Sequence, residues 1–296
     1  MNRDTKSLTV VIPVRNRASV VGRTLDSLDA QTSRDFCVIL VDNGSTDGTL
    51  TLLHNWAETS DIEVRIFSEP RTGAAAARRR GMESVDTEWT MSFDSDDIMS
   101  PTHIEEALAY ARSHDCDIIG RDIFYRHGGP AVVKPFISGR DIAYRVLFDG
   151  TMSTQRYFAR TDLFLRAGNW DGSIGTWDDI ELAFRMLALN PRIEKIKGQP
   201  TVEVNIQPDS MTVRMARPDK IEPALRSIER QLGPERRHWT DLKRVIFAAN
   251  MPDTEGHEYY RQVISHASRH RLLLQMAYAY TRRGGRGIAR LLRPFM

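Results

Sequence analysis

Cysteine is nearly absent. Only Cys37 and Cys116 occur in 296 residues, each in or beside an apolar run, and no Cys-x-x-Cys or Cys/His pair has ligand spacing. That excludes a disulfide scaffold and a cysteine-built zinc site, and it implies two buried thiols in a reducing compartment. Long apolar runs are missing as well. None approaches the roughly 20 residues needed to span a bilayer, and the polar start Met1–Ser7 lacks the apolar stretch of a signal peptide. The expected location is therefore cytoplasmic. Strong net charge is lacking too: the formal value is +2, so the molecule as a whole is no nucleic-acid-binding surface. One absence is local. From Tyr259 to Met296 there are eight arginines and no Asp or Glu. With 41% hydrophobic and 27% charged residues, the remainder reads as an ordinary globular chain, one large domain or a domain with an appendage.

What is present alternates. Short runs rich in β-branched and aromatic residues, Leu8–Ile12, Phe36–Val41, Ile62–Phe67 and Trp89–Phe93, predict strands. Between them lie helical stripes: Val21, Leu25 and Leu28; Leu50, Leu53 and Ala57; and Ala74–Ala77 running on to Met82 and Val85. Strands alternating with helices predict parallel βαβ units in a doubly wound, Rossmann-like α/β sheet. Ser100-Pro101 predicts a helix start, with Ser as cap and Pro at the first helical position. Residues 121–175 read as irregular, with helices near 139–148 and 161–167, and another helix is expected over Asp178–Leu189. Arg217-Pro218 marks a boundary before a helical, basic extension.

In such a sheet, ligands bind beyond the carboxyl ends of the strands. Three strand ends here are polar: Pro13-Val14-Arg15-Asn16, Asp42-Asn43-Gly44-Ser45-Thr46-Asp47 and Asp94-Ser95-Asp96-Asp97. Asp42 can accept hydrogen bonds from a base or ribose, although the segment also suits a plain strand–turn–helix connection. Three carboxylates within four residues repel one another unless they are solvated or share a cation, and hard oxygen ligands suit Mg²⁺ or Mn²⁺ bridging a diphosphate. A solvated acidic turn is the simpler alternative. Arg78, Arg79 and Arg80 follow an alanine run and could face a diphosphate or solvent.

Taken in order, these residues resemble family 2 of the inverting nucleotide-sugar glycosyltransferases, which have the GT-A fold. Ile12-Pro13-Val14-Arg15-Asn16 matches the family's opening strand end, and Val41-Asp42-Asn43-Gly44-Ser45-Thr46-Asp47 matches its second, with Asn43 where the family usually has Asp. Gly73, Ala77-Arg78 and Gly81 fit the next stretch, and Asp94–Asp97 the Asp-x-Asp-Asp cluster. Gly168-Asn169-Trp170-Asp171 resembles a family turn, and Asp178-Asp179 stands for its late Glu-Asp. The resemblance spans about residues 8–213. It implies a catalytic domain over 1–213, divided into a nucleotide-binding half (1–97) and an acceptor half (98–213), with 214–296 as the basic helical extension. One departure is the stretch Asn205–Ser210, which has no His where the family often places one beside the metal.

The resemblance implies an enzyme that transfers a sugar, with inversion, from a nucleotide-diphosphate sugar, most often a UDP-sugar, to a glycan or lipid-linked acceptor hydroxyl. Cell-surface polysaccharide or glycoconjugate synthesis is the expected setting. Pro13, Arg15 and Asp42 would line the nucleoside pocket and Arg78 would lie near the donor. Asp94 and Asp96 would meet ribose and a divalent metal, Mg²⁺ or Mn²⁺, with Asp97 a further candidate ligand. Asp179 is the expected base and Asp178 its orienting neighbour, although both carboxylates also simply favour a helix N-terminus. Trp170 and Trp177 could stack on sugar or pack in the core. A nucleotidyltransferase remains an alternative, disfavoured by the glycine-free Pro13–Asn16, as does a non-catalytic nucleotide-sugar-binding protein. The tail admits two readings: a helix resting peripherally on an anionic membrane, at the inner face of the cell membrane, or a helix packed on the domain with a solvated face.

Overall fold

The computed structural model describes residues 6–126, 128–136, 139, 141–205, 218–267 and 270–295. Four parallel strands, β1 (Leu8–Val14), β2 (Phe36–Asp42), β3 (Glu63–Ser68) and β4 (Trp89–Ser92), are joined by helices α1 (Val21–Asp29), α2 (Thr49–Thr59) and α3 (Ala74–Met82). Alternation along the strands separates two cores. Leu8, Val10, Ile12 and Val14 join Phe36, Val38 and Leu40 beneath α1 and α2. Val11, Ile39 and Val41 point to the other face with Ala77 and Met82. A parallel strand buried on both faces needs such unbroken apolar runs. On the second face α3 lies close against the sheet, since a Cβ on Gly81 would collide with Val11.

The sheet continues with later strands. Its order is β10-β6-β9-β4-β1-β2-β3, where β6 is Ile118–Gly120, β9 is Tyr157–Arg160 and β10 is Ile193–Lys195. Strand β9 runs antiparallel between β4 and β6. The sheet thus takes strands from both sides of residue 97. A second, four-stranded sheet joins β5 (Ile98–Met99), β11 (Val202–Asn205), β7 (Ile123–Arg126) and β8 (Val132–Lys134).

The helices expected near 139–148 and 161–167 are present, and the irregularity expected of the rest of 121–175 is corrected. That stretch holds β7, β8, α5 (Ile142–Asp149), a 3-10 turn at Thr154–Arg156, β9 and α6 (Thr161–Arg166). The Ser100-Pro101 start is also displaced: α4 runs His103–Ser113. The Ser100 N–H is engaged by Thr201 O at 2.7 Å, while its carbonyl accepts from the His103 N–H. The Ser is thus tied into a strand connection and does not cap. Helix α7 (Asp178–Leu187) lies where a helix was expected. The free thiols of Cys37 and Cys116 are both buried.

Five helices follow: α8 (Pro218–Leu232), α9 (Arg237–Ala249), α10 (Asp253–His266), α11 (Arg271–Arg282) and α12 (Ile288–Leu292). Ile221, Leu225 and Ile228 of α8 share the second core with α7. The rest build a third core around Leu242, Val245, Val263 and Leu274, into which Tyr144 of α5 inserts. Among the described residues no helix is long and apolar enough to cross a membrane. Arg217 and residues 206–210, part of the stretch expected to hold a His, lie outside the described residues.

Candidate active site

The first two strand ends are laced together by local polar contacts. Asn16 adopts φ 50°, its Oδ1 accepts from the Thr46 N–H at 2.8 Å, and its own N–H donates to Ser45 Oγ at 3.0 Å. Asp42 is buried and accepts from the N–H groups of Gly44 and Ser45, both at 3.2 Å. Asn43 ties the next loop down. Its Nδ2 donates to the Glu69 and Arg71 carbonyls at 2.8 and 2.7 Å, and its Oδ1 accepts from Gly73 N–H at 2.8 Å. A carboxylate at 43 has no hydrogen to donate to either carbonyl. Pro13 and Arg15 stand at the end of β1, Pro13 half-buried and Arg15 exposed.

Beyond β4 the design changes. Arg78 rises from α3 into a buried position and uses its whole guanidinium. Nε donates to Ser92 Oγ at 3.2 Å, Nη2 to Asp94 Oδ1 at 2.7 Å and Nη1 to Asp178 Oδ2 at 2.6 Å. The Trp170 ring lies 4.9 Å from its Cζ. One arginine therefore connects the end of β4 to the start of α7, and its partner Asp178 lies 100 residues beyond it in sequence. Both carboxylates raise its pKa further, although burial alone would lower it. The second oxygen of Asp94 accepts from Gln155 Nε2. The other two acidic residues of that cluster diverge. Asp96 lies 3.8 Å from Arg17 Nη2. Asp97 is 1% exposed, its Oδ1 accepting from the Asn205 N–H at 3.0 Å and its Oδ2 without a partner among the described residues. Burial and the neighbouring carboxylates Asp94 and Asp96 push the Asp97 carboxyl well up.

Helix α7 begins with the other acidic pair. Burial raises the Asp178 carboxyl, with Arg78 opposing. The half-buried Asp179 is pushed up to about 7, first by burial and then by the adjacent Asp178. Its Oδ1 accepts from the Ile180 N–H at 2.8 Å. A carboxyl near 7 is suited to take a proton at neutral pH. The helix is braced from below. Glu181 pairs with Arg185 at 2.7 Å and accepts from Ser227 Oγ of α8, while Arg185 donates to the Asn169 carbonyl. Trp177, just before α7, has φ 59°, an arrangement costing a bulky residue roughly 1–3 kcal/mol. It is held beneath Lys243 of α9, whose ammonium lies 4.7 Å from the ring centre. Burial lowers the Lys243 pKa to about 8.

The structure thus brings Arg78, Asp94, Asp178 and Asp179 into one cluster, and it turns Asp97 inward. Among the described residues, no group of three His, Cys, Asp or Glu side chains converges on a metal position. A hard cation such as Mg²⁺ is nonetheless commonly bound by one or two carboxylates plus substrate phosphates. Asp96, with Asp94 beside it, fits that requirement. Gln155, Arg17, Ser92 and Lys243 were not singled out from the sequence, because nothing local marks them. Arg156 joins them: it is buried, and Asp179 is the leading opposition to the burial that lowers its pKa.

A sequence model of glycosyl transferase family 2 matches residues 9–162, more than half of the chain. The chain belongs to that family. The succinoglycan biosynthesis protein ExoW of Rhizobium meliloti is 33% identical over 132 residues, which is 42% of this chain and 41% of that protein. A PGL/p-HBAD biosynthesis glycosyltransferase of Mycobacterium bovis is 28% identical over 147 residues, 47% of this chain and 57% of the relative. These alignments span about half the length of the curated relatives. Among solved structures, residues 1–349 of S. aureus TarS with UDP-GlcNAc superpose with a TM-score of 0.72 at 17% identity, covering 98% of this chain and 92% of that one. The mannosyltransferase PcManGT of Pyrobaculum calidifontis, solved with GDP-Man and Mn²⁺, gives 0.54 at 17% identity over 96% and 86%. The fold is the GT-A fold that the resemblance to this family implied, with a helical C-terminal part. The nucleotidyltransferase alternative finds no support among these relatives.

Proposed function

We propose that this chain transfers a sugar from a nucleoside-diphosphate donor, uridine-linked, to an acceptor hydroxyl with inversion, in the making of a surface polysaccharide or glycoconjugate. The observation that carries the reading is the Arg78 bridge. It holds Asp94, at the end of a parallel strand, and Asp178, next to a carboxyl poised near pH 7, in one rigid unit. TarS solved with UDP-GlcNAc, PcManGT solved with GDP-Man and the succinoglycan biosynthesis protein ExoW support the substrate class.

In this reading Pro13, Arg15 and Asp42 receive the nucleoside, and residues 1–213 form the catalytic domain with 214–296 as its extension. Asp94 and Asp96 face the ribose and diphosphate. A divalent cation bound by Asp96, with Asp94 beside it, would offset charge on the leaving diphosphate. Asp179 takes the acceptor's hydroxyl proton as the oxygen bonds to the anomeric carbon. The bond from that carbon to the diphosphate oxygen breaks, and the diphosphate leaves with the electron pair. A single base opposite the leaving group gives direct displacement, hence inversion. Arg78 favours the charged form of Asp178 against its burial, and burial together with the adjacent Asp178 raises the base toward neutrality.

The test is nucleoside-diphosphate release from a panel of nucleotide sugars, with and without Mn²⁺, for the parent and Asp179→Asn. Loss of roughly 10²–10⁴ in transfer with donor affinity retained supports the assignment. A variant that loses donor binding equally, or transfers at the parental rate, removes Asp179 from the role of base.

A further inference from the structure

The C-terminal helices carry a surface that sugar transfer does not explain. Among the described residues nine large hydrophobic side chains are exposed, and five of them, Leu272, Met276, Tyr280, Leu291 and Phe295, fall within the last 25 residues. Three lie on α11 at spacings of four, so they form one stripe along a helix about 18 Å long. The opposite side of α11 is the packed one: Leu274, Ala277 and Thr281 are buried against the third core. The stripe is therefore not the inner face of a poorly seated helix.

The charge on the stripe's own segment is of one sign. Arg271, Arg283, Arg286 and Arg290 are exposed at or just beyond the ends of α11, and no Asp or Glu occurs from Tyr259 to Met296. Three arginines of the segment reach acids elsewhere: Arg282 to Asp253, Arg290 to Asp149 and Arg293 to Asp141. Arg283 and Arg286 make no ion pair among the described residues. A contiguous apolar stripe rimmed by cations is unusual on a monomeric globular surface. A protein partner would have to supply both a hydrophobic face and concentrated acid. A bilayer with anionic phosphodiester headgroups supplies both in one plane, with acyl chains for the apolar side chains and headgroups for the guanidiniums.

We propose that the exposed face of α11, continued by Leu291 and Phe295, docks this chain on an anionic membrane surface. The helix lies in the interface, since no described helix is long and apolar enough to cross. Docking there suits an acceptor that is itself membrane-anchored, but the surface chemistry does not depend on the sugar-transfer reading.

The experiment is co-sedimentation of the full chain with vesicles of phosphatidylglycerol and phosphatidylcholine, against vesicles of phosphatidylcholine alone. The parent is expected to pellet with the anionic vesicles and to be released by salt. Arg283→Gln with Arg286→Gln should lower partitioning roughly 30-fold, about fivefold per arginine. Leu272→Ser with Met276→Ser should lower it about tenfold or more. Both variants should melt at the parental temperature, which shows that the fold is intact. A parent chain that stays in the supernatant at low salt overturns the proposal. So does equal pelleting of parent and variants, or a Leu272→Ser/Met276→Ser pair that only dissociates an oligomer in light scattering.

Discussion

The ends of β1 and β2 and the cluster joining β4 to α7 both present carboxylates, yet they are held in opposite ways. Around Asp42 and Asn16 the partners are backbone N–H groups and neighbouring side chains of two adjacent loops. Around Asp94 and Asp178 a single buried guanidinium joins segments far apart in sequence. Backbone donors survive every substitution except proline and share the load, so the first region should tolerate change. The second concentrates three dependencies on one side chain, and removing one partner leaves a buried charge uncompensated.

The sharpest way to break this contrast is Arg78→Met. It strands Asp94 and Asp178 and should cost about 3–5 kcal/mol in stability, read by urea unfolding, with transfer activity lost. A loss below about 1 kcal/mol would show that the bridge is no more critical than the loops. Asn43→Asp tests the other side. It places a carboxylate against two carbonyl oxygens and should cost about 1–3 kcal/mol, less than the arginine, although the family commonly has Asp there.

The pH dependence separates the regions next. Asp179 must be unprotonated to act as a base, so kcat/KM should fall below about pH 7. Asp178→Asn removes the neighbouring negative charge and should move that limb to lower pH. A limb that stays in place would mean that burial alone sets it. Stability follows the opposite sense. A carboxyl whose folded pKa is raised above its unfolded value favours the folded state at low pH, and that contribution is lost as pH rises through about 7. Asp179→Asn should therefore be more stable than the parent at pH 8, by roughly 1–3 kcal/mol, with little difference at pH 4. The smallest effect is expected for Lys243→Met. It removes the cation above Trp177 at a cost of about 0.5–2 kcal/mol, seen as a modest fall in melting temperature and in transfer rate.

The same contrast decided what could be read from the sequence. Strands β1 and β2 announce themselves because a strand buried on both faces must be a continuous apolar run, as Val38–Val41 is. Strand β9, Tyr157-Phe158-Ala159-Arg160, carries no such run. It gains its central place from pairing with β4 and β6, a tertiary matter. Asp42, Asp94, Asp178 and Asp179 were legible through motif order. Gln155 and Lys243 were not, since each reaches the site from an element whose position only the packed chain defines. Asp97, grouped with Asp94 and Asp96 by sequence proximity, was read too simply. The three carboxylates of Asp94–Asp97 do not point the same way, and that of Asp97 turns inward to the Asn205 backbone.

Strand β9 also imposes an order of events. Its register sets Ala159 and Arg160 against Thr90 and Trp89 of β4 on one side, and Tyr157 to Ala159 against β6 on the other. Until Tyr157–Arg160 leaves the ribosome, β4 is an open edge lined by unpaired backbone groups, the kind that recruits strands from other chains. A nascent or truncated chain ending before Tyr157 can pair β1 to β4, but β6 then has no strand to pair with. Such a fragment would already contain Asp42, Arg78 and Asp94, and still hold only four paired strands of this sheet. Extension of the sheet beyond β4 and arrival of Gln155 beside Asp94 are therefore one event in the life of the chain.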